Sequence, residues 1–149
     1  MKEDKVRIIP YNEDYRNDVL RVWEASVLAT HDFLLEADFQ HIKILVQSID
    51  FYDFKVFLAV SGAQLLGFIG VLDDKVEMLF IEPTYTGFGL GKELMGYAIN
   101  ELGANKVDVN EQNRRAVSFY EKLGFEAYER TNLDDQGNPY PLLRMSLFK

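Results

Sequence analysis

The spacing of hydrophobic residues changes several times along the chain, and each change marks a predicted element. Over residues 15–27 apolar side chains recur three or four positions apart, which is the spacing of one helix face. The same spacing predicts helices over residues 36–49 and 90–102, and a last one from Asn113 to about Leu123. Short apolar or alternating runs between turn residues predict strands at residues 6–9, 56–60, 65–72, 76–81, 106–110, 125–130 and 142–148.

The order of these elements predicts the fold class. It is β-α-α-β-β-β-α-β-α-β-β, with three strands in the middle of the chain joined by short turns. Strands joined by hairpins are antiparallel, whereas a strand–helix–strand crossover joins parallel strands. We therefore expect an α/β (α+β) protein with a mixed, mostly antiparallel sheet of about six or seven strands flanked by about four helices. No repeat or linker interrupts residues 1–149, which predicts one domain.

Composition and charge exclude several classes of function. The chain has no cysteine, and therefore no disulfide framework, thiolate nucleophile or cysteine-ligated zinc. Its two histidines and scattered carboxylates show no metal-ligand spacing, so we expect no metal. A net charge of −8 disfavours nucleic acid and favours a cationic partner such as an amine, although acidic charge also serves solubility alone. No segment is apolar enough to span a membrane and no signal-peptide pattern is visible, so we expect a cytoplasmic protein.

Three glycines at alternate positions, Gly87, Gly89 and Gly91, lie between a predicted buried strand and a predicted amphipathic helix. Glycine lets backbone N–H groups approach an anion closely, and a helix N-terminus adds partial positive charge. The loop predicts a phosphate cradle, or else a tight turn that needs glycine and binds nothing. Two nucleotide motifs do not fit, because a P-loop requires Ser or Thr where this chain has Glu93, and the dinucleotide fingerprint requires two residues between its last glycines.

Two segments resemble the GNAT superfamily of acyl-CoA N-acyltransferases. Residues 81–94, IEPTYTGFGLGKEL, are similar to its motif A, in which an Arg or Gln is followed by two residues, Gly, one residue, and Gly or Ala. Thr86, Gly89 and Gly91 occupy those positions. Residues 113–125, NRRAVSFYEKLGF, are similar to motif B. The predicted elements also follow the order of the family, so the resemblance covers nearly the whole chain.

The resemblance implies acetyl-CoA as the cosubstrate and an amine as the acceptor. It further implies cofactor-binding residues at the end of the fourth predicted strand, in the glycine loop and on the motif B helix. These are Leu79, Phe80, Ile81, Thr86, Gly87, Phe88, Gly89, Leu90, Gly91, Lys92, Asn113 and Tyr120. Thr86 and Phe88 stand where the family usually has Arg or Gln and a basic residue. We therefore expect the cradle to rely on backbone N–H groups, with Lys92 and Arg114 as helpers.

The predicted reaction needs a proton donor for the leaving thiolate and an acceptor for the amine proton. Tyr120 occupies the motif B tyrosine position, where the family can protonate the sulfur, or it only packs the helix on the sheet. Glu77 is a carboxylate in an apolar strand, and it faces either a cleft, where burial would raise its pKa, or an open edge. His31 is the other candidate base, with capping, packing and a water-relayed base as alternatives. Asn113 caps its helix and could also bind the pantetheine.

Four further segments, at residues 23–26, 30–34, 110–113 and 137–143, resemble a small bacterial subgroup, the YjaB-type N-acetyltransferases. This implies that Trp23, His31, Phe33 and Tyr140 line the acceptor pocket, whereas helical spacing puts Trp23 in the core. The acceptor is then a primary amine, on a small molecule or on a protein lysine or N-terminus. The alternatives are a non-catalytic acyl-CoA-binding or sensing module and an interaction domain without a ligand. An exposed edge among the last strands would allow a homodimer.

Overall fold

The computed structural model describes residues 5–147 and has the predicted order of elements. Its strands are β1 (Val6–Pro10), β2 (Lys55–Ser61), β3 (Gln64–Leu72), β4 (Lys75–Ile81), β5 (Lys106–Asn110), β6 (Phe125–Thr131) and β7 (Leu142–Leu147). Its helices are α1 (Arg16–Thr30), α2 (Glu36–Gln47), α3 (Leu90–Glu101) and α4 (Arg114–Lys122). The predicted last strand extends to Phe148, which lies outside the described residues.

Local hydrogen bonds set the helix ends. α4 begins after Asn113, whose side-chain oxygen accepts a hydrogen bond from the Ala116 N–H at 3.3 Å, so the predicted capping role of Asn113 is confirmed. α2 ends at Gln47, before the predicted boundary, because its last turn tightens. There the backbone N–H and the hydroxyl of Ser48 both donate to the Leu45 carbonyl, at 3.1 and 2.6 Å.

The seven strands form one sheet in the order β1-β2-β3-β4-β5-β7-β6. All neighbouring pairs are antiparallel except β4 and β5, which the α3 crossover joins in parallel. The mixed, mostly antiparallel sheet with four helices confirms the predicted fold class. β7 lies between β5 and β6, so the edge strand on that side is β6, and self-association through it stays a prediction. No helix within residues 5–147 is long and apolar enough to cross a membrane.

Two apolar clusters cover the two faces of the sheet. Residues of α1 and α2 pack on one face, and residues of α3 and α4 pack on the other. The adjacent β3 residues Phe68 and Ile69 belong to different clusters, because successive side chains of a strand point to opposite faces. Trp23 is 5% exposed in the first cluster, and its ring stacks on Phe39 with centroids 5.9 Å apart. Trp23 is therefore a core residue, and the implied place in the acceptor pocket is wrong.

β4 separates from β5 after a short parallel contact. The two strands pair only at Lys75 with Lys106 and at Val76 with Val107. A bulge follows at once, because the register on β3 passes from Val76 directly to Met78 and leaves Glu77 without a partner. Beyond the bulge, the side of β4 that faced β5 has no strand partner within residues 5–147. Its backbone N–H and C=O groups are therefore free to bind a ligand.

Candidate active site

A cavity of about 590 Å³ lies beside this free edge of β4. Its walls come from the end of α1, the second half of β4, the loop that leads into α3, the first turn of α3 and one face of α4. Every predicted cofactor-binding residue except Phe88 lines it. Those residues are Leu79, Phe80, Ile81, Thr86, Gly87, Gly89, Leu90, Gly91, Lys92, Asn113 and Tyr120. The predicted catalytic residue His31 lines the same cavity.

The glycine loop turns through two residues with left-handed backbone geometry. Gly87 has φ of +90° and Gly89 has φ of +82°, a region that side chains with a Cβ rarely adopt. Gly89 is also the residue from which α3 begins, so the loop runs directly into a helix N-terminus. Two glycines in open space beside a helix start are suited to hold an anion through backbone N–H groups.

The side-chain cations of the cavity are Lys92 on α3 and Arg115 on α4. Neither makes an ion pair or a side-chain hydrogen bond within residues 5–147. The expected helper Arg114 does not line the cavity, because α4 turns a different face toward it. Arg115 lies one turn from Phe119, which also lines the cavity, so the two share that face. The free cations are therefore Lys92, as expected, and Arg115 in place of Arg114.

Tyr120 carries a hydroxyl that is protonated and available in the cavity. The residue is 7% exposed, and its ring makes edge contacts with Phe119 and Phe125, with centroids 5.1 and 5.8 Å away. Burial raises the pKa of Tyr120 above its ordinary value, so the phenol is neutral at physiological pH. Its hydroxyl makes no hydrogen bond within residues 5–147 and is not sealed from solvent. Tyr120 therefore packs the helix and can also donate a proton.

His31 follows the last residue of α1 and lines the same cavity. Its backbone N–H donates to the Val27 carbonyl at 2.8 Å, and its Nδ1 lies 2.7 Å from Thr30 Oγ1. Burial lowers the pKa of His31, and the Asp32 carboxylate opposes this in part. The ring of Phe33 lies 5.2 Å from the imidazole. An imidazole held neutral in a cleft can accept a proton.

Two predicted site residues are not brought to the cavity. Phe88 does not line it, and its side chain is 74% exposed at the loop tip. Glu77 is exposed at the bulge of β4 and lies outside the lining, because the bulge redirects its side chain. The pKa of Glu77 lies above its ordinary value, chiefly because its carboxyl is partly shielded from water. The positive charge of Lys75 opposes this shift, and the negative charge of Asp108 adds to it.

Tyr140 lies beside the α1 end rather than on the cavity wall. Its ring is 6.0 Å from that of Phe33, and its hydroxyl donates to Asp38 while accepting from the Leu35 N–H at 3.1 Å. These two hydrogen bonds connect the start of α2 to the segment that precedes β7.

Sequence reasoning missed several lining residues. They are Ser26, Ala29, Thr30, Pro83, Tyr85, Arg115, Ala116 and Phe119. On α1 and α4 they recur three or four positions apart, so one helix face carries each group. That spacing was available in the sequence, but it does not say which face meets a cleft rather than the core.

The cavity suits acetyl-CoA. The glycine loop and the two free cations are suited to bind phosphates, and the free edge of β4 presents backbone N–H and C=O groups to which an amide-containing chain can bond. The Tyr120 hydroxyl is a hydrogen-bond donor in the same cavity. Within residues 5–147 no group of three or more acidic or histidine side chains could hold a metal ion.

A parallel strand pair that separates beside a glycine loop, with the motif B tyrosine in the same cavity, agrees with the predicted class, the acyl-CoA N-acyltransferases. Residues 32–146 match the acetyltransferase (GNAT) domain family, and the chain belongs to this family. Peptidyl-lysine N-acetyltransferase YjaB of Salmonella typhimurium LT2 is 38% identical over 85% of this chain and 88% of that protein. YjaB of Escherichia coli K12 is 36% identical over 87% of this chain and 88% of that protein.

Solved structures agree with this assignment. Apo-form YjaB from Escherichia coli has a TM-score of 0.86 at 34% identity, over 95% of this chain and 97% of that one. The PaiA N-acetyltransferase of Thermoplasma acidophilum, in complex with coenzyme A, shares the fold with a TM-score of 0.76 at 20% identity, over 97% and 99%. The resemblance to the YjaB subgroup is thus confirmed. Acetyl transfer from acetyl-CoA is the reaction of this chain, and the non-catalytic alternative is not supported.

Proposed function

We propose that this acetyltransferase acts on the primary amine of a lysine side chain in a protein or peptide. The observation that carries the proposed chemistry is one cavity with a neutral phenol, Tyr120, and a neutral imidazole, His31. The choice of lysine is supported by the two YjaB relatives, which are both named peptidyl-lysine N-acetyltransferases. The net charge of −8 also favours the approach of a cationic substrate.

In the proposed reaction each residue has one role. Acetyl-CoA supplies the acetyl group already activated as a thioester. His31 accepts the proton that the amine nitrogen loses as it bonds to the carbonyl carbon. Backbone N–H groups on the free edge of β4 stabilise negative charge on the carbonyl oxygen. Tyr120 gives its proton to the sulfur as the carbon–sulfur bond breaks, and direct transfer of this kind needs no cysteine nucleophile.

Glu77 is the second candidate base. Its raised pKa suits proton transfer, but its place outside the cavity lining would require a water between the carboxyl and the amine. Matched amide variants separate the two candidates. His31→Gln should lower kcat by about 100-fold or more if His31 is the base, whereas Glu77→Gln should lower it comparably only if the water-relayed route operates.

The acceptor class is tested with three synthetic peptides of matched sequence. One carries an internal lysine and a blocked N-terminus, one carries a free N-terminus and no lysine, and one carries neither. We expect thiol release and a single acetyl group on the lysine peptide. Acetylation of the free N-terminus alone would overturn the choice of lysine.

Tyr120→Phe provides the catalytic control. It should lower kcat by about 100-fold or more while calorimetry shows unchanged CoA affinity, because only the transferable proton is removed. Unchanged kcat in this variant would remove Tyr120 from the mechanism, and lost CoA affinity would indicate that its role is packing.

We also propose a bacterial cytoplasm as the setting, which the bacterial origin of the YjaB relatives supports. Fractionation of cells that carry a tagged chain tests this proposal.

A further inference from the structure

Three polar groups stand in a row at the end of α1. The Thr30 hydroxyl oxygen lies 2.8 Å from the backbone carbonyl oxygen of Ser26, one turn earlier. The same oxygen lies 2.7 Å from Nδ1 of His31. Both distances are those of well-formed hydrogen bonds. Because the row ends on a residue of the cleft, the direction of its protons decides which imidazole nitrogen faces the substrate as an acceptor.

The direction follows from counting protons. A carbonyl oxygen can only accept, and a threonine hydroxyl has a single proton to donate. The Thr30 proton is therefore committed to the Ser26 carbonyl, which is the usual back-bond of a helical threonine. If it pointed instead at Nδ1, two oxygen lone pairs would face each other at 2.8 Å. The hydrogen between Thr30 Oγ1 and His31 Nδ1 must then come from the imidazole.

We infer that Thr30 is a positioning residue, which holds His31 as the tautomer protonated on Nδ1 and so leaves Nε2 as the proton acceptor in the cleft. This rests on the proposed role of His31 in amine acetylation. Nε2 makes no hydrogen bond within residues 5–147 and is not sealed from solvent. Neutral imidazole in water favours the opposite tautomer, with the proton on Nε2, and that form cannot accept a proton from an amine at Nε2. The Thr30 contact reverses this preference.

Neighbouring contacts hold the ring in the orientation that the Thr30 bond requires. Phe33 packs against the imidazole at 5.2 Å and against the ring of Tyr140 at 6.0 Å. The Tyr140 hydroxyl is fixed in turn by Asp38 and by the Leu35 N–H. The His31 side chain is thus constrained on two sides, by a hydrogen bond and by an aromatic contact, before any substrate arrives. Such support is what a proton acceptor needs to stay aligned.

The tautomer can be read directly by NMR, without any assay of activity. In a long-range proton–nitrogen correlation spectrum of ¹⁵N-labelled protein at pH 8, protonated and unprotonated ring nitrogens have well-separated shifts. The chain has only two histidines, so His41→Gln assigns the signals of His31. We expect His31 to have a protonated Nδ1 and an unprotonated Nε2. In Thr30→Val, which keeps the shape and removes the hydroxyl, the pattern should change toward protonated Nε2, and Thr30→Ser should restore the original pattern.

Kinetics test whether the tautomer matters for the reaction. Thr30→Val should lower kcat by about 3- to 10-fold, less than the loss expected on removing a general base, because a minority of rings keep a free Nε2. KM for acetyl-CoA should not change, and Thr30→Ser should recover the rate. Protonated Nε2 in the unaltered protein, or an unchanged tautomer in Thr30→Val, would overturn the inference. An unchanged kcat in Thr30→Val despite a changed tautomer would also overturn it. Failure to acetylate lysine peptides would overturn the proposed acceptor while leaving the NMR result intact.

Discussion

Arg115 offers the sharpest test of how this chain holds the phosphates of its cosubstrate. The first motif A position is Thr86, so the side chain there brings no positive charge to the glycine loop. Arg115 lies on the cavity wall without an ion-pair partner within residues 5–147, whereas the adjacent Arg114 does not line the cavity. Replacing Arg115 with Gln should therefore weaken CoA binding, and replacing Arg114 with Gln should not.

The size of the effect follows from the exposure of Arg115. A hydrogen bond between a charged donor and a phosphate contributes about 1.5–3 kcal/mol in a well-formed site. Arg115 is exposed on the first turn of α4, so water and salt screen it. A loss of about 1–1.5 kcal/mol is therefore expected, which corresponds to a dissociation constant about 5- to 12-fold higher.

Calorimetric titration with CoA at low and high salt measures this change, with pantetheine as a ligand that lacks the phosphates. Arg115→Gln should weaken CoA but leave pantetheine unchanged, and the difference should shrink at high salt because screening weakens the contact in the unaltered protein. Arg114→Gln has the same change in net charge and controls for the general field of the protein. An equal loss in both variants, or an equal loss for both ligands, would refute the assignment of the phosphate contact to Arg115.

Three further outcomes are expected. Gly89→Ala should lower CoA affinity, and it should lower the free energy of unfolding in a urea titration by about 1 kcal/mol, because φ at Gly89 is +82°. Gly96→Ala is the control in the same titration. It should stabilise the protein, because Gly96 lies in the interior of α3 with open space at its Cβ. Trp23→Ala should destabilise the fold by about 3–5 kcal/mol, because it removes a buried ring stacked on Phe39, with Trp23→Phe losing less. The pKa of His31 lies below its ordinary value of 6.5 despite Asp32, so the unfolded chain takes up a proton that the folded chain does not. The contribution of His31 to the free energy of unfolding should therefore be fully present above about pH 6.5 and be lost as the pH decreases below that value. His31→Gln should flatten this part of the plot of urea midpoint against pH.

The helices and strands could be predicted because each depends mainly on a local pattern of apolar, capping and turn residues. β3 is apolar on both faces and reads as a continuous apolar run, which is typical of a strand buried between two helical layers. Asn113 is a residue type that caps helices, and its side chain does so here. The boundaries that differ, such as the end of α2, depend on the last hydrogen bonds of a helix rather than on its spacing.

The place of Glu77 shows where such patterns are insufficient. A carboxylate inside the run VEMLFI is costly to bury, so the sequence allows either a carboxylate that faces a cleft or one that points outward at an edge. In the structure a bulge puts Glu77 out of register with β3 and leaves it exposed. A bulge depends on how β4 pairs with β3 and β5, and the local spacing of apolar residues does not predict such pairing between separate segments.

Tertiary packing also decides which of Arg114 and Arg115 lines the cavity and how Thr30 contacts His31. Adjacent residues on a helix point about 100° apart, so only the packed orientation of α4 decides which arginine meets the cavity. Thr30 is an ordinary helical threonine until the neighbouring imidazole is in place. Motif A and motif B locate the cleft in the sequence. Whether Arg115 and Thr30 reach the cleft depends on how the core orients α4 and α1.

The charged residues near the two ends of β4 give those ends opposite character. Near the bulge, Lys75 and Arg144 both pair with Asp108, at 2.5 and 2.6 Å. Arg144 also pairs with Glu129 and Asp135, so three carboxylates face the two cations. Glu77 has no ion-pair partner there within residues 5–147, so the residual charge is negative. At the other end of the strand, beyond Ile81, the unpaired charges of the cavity are those of Lys92 and Arg115, and they are positive. A protein with net charge −8 thus keeps free cations in the cavity where we propose that the phosphates of acetyl-CoA bind, while its acidic residues favour the approach of the proposed lysine acceptor. On this proposal, the separation of charge lets one small domain bind two substrates of opposite charge, although Thr86 and Phe88 bring no positive charge to its glycine loop.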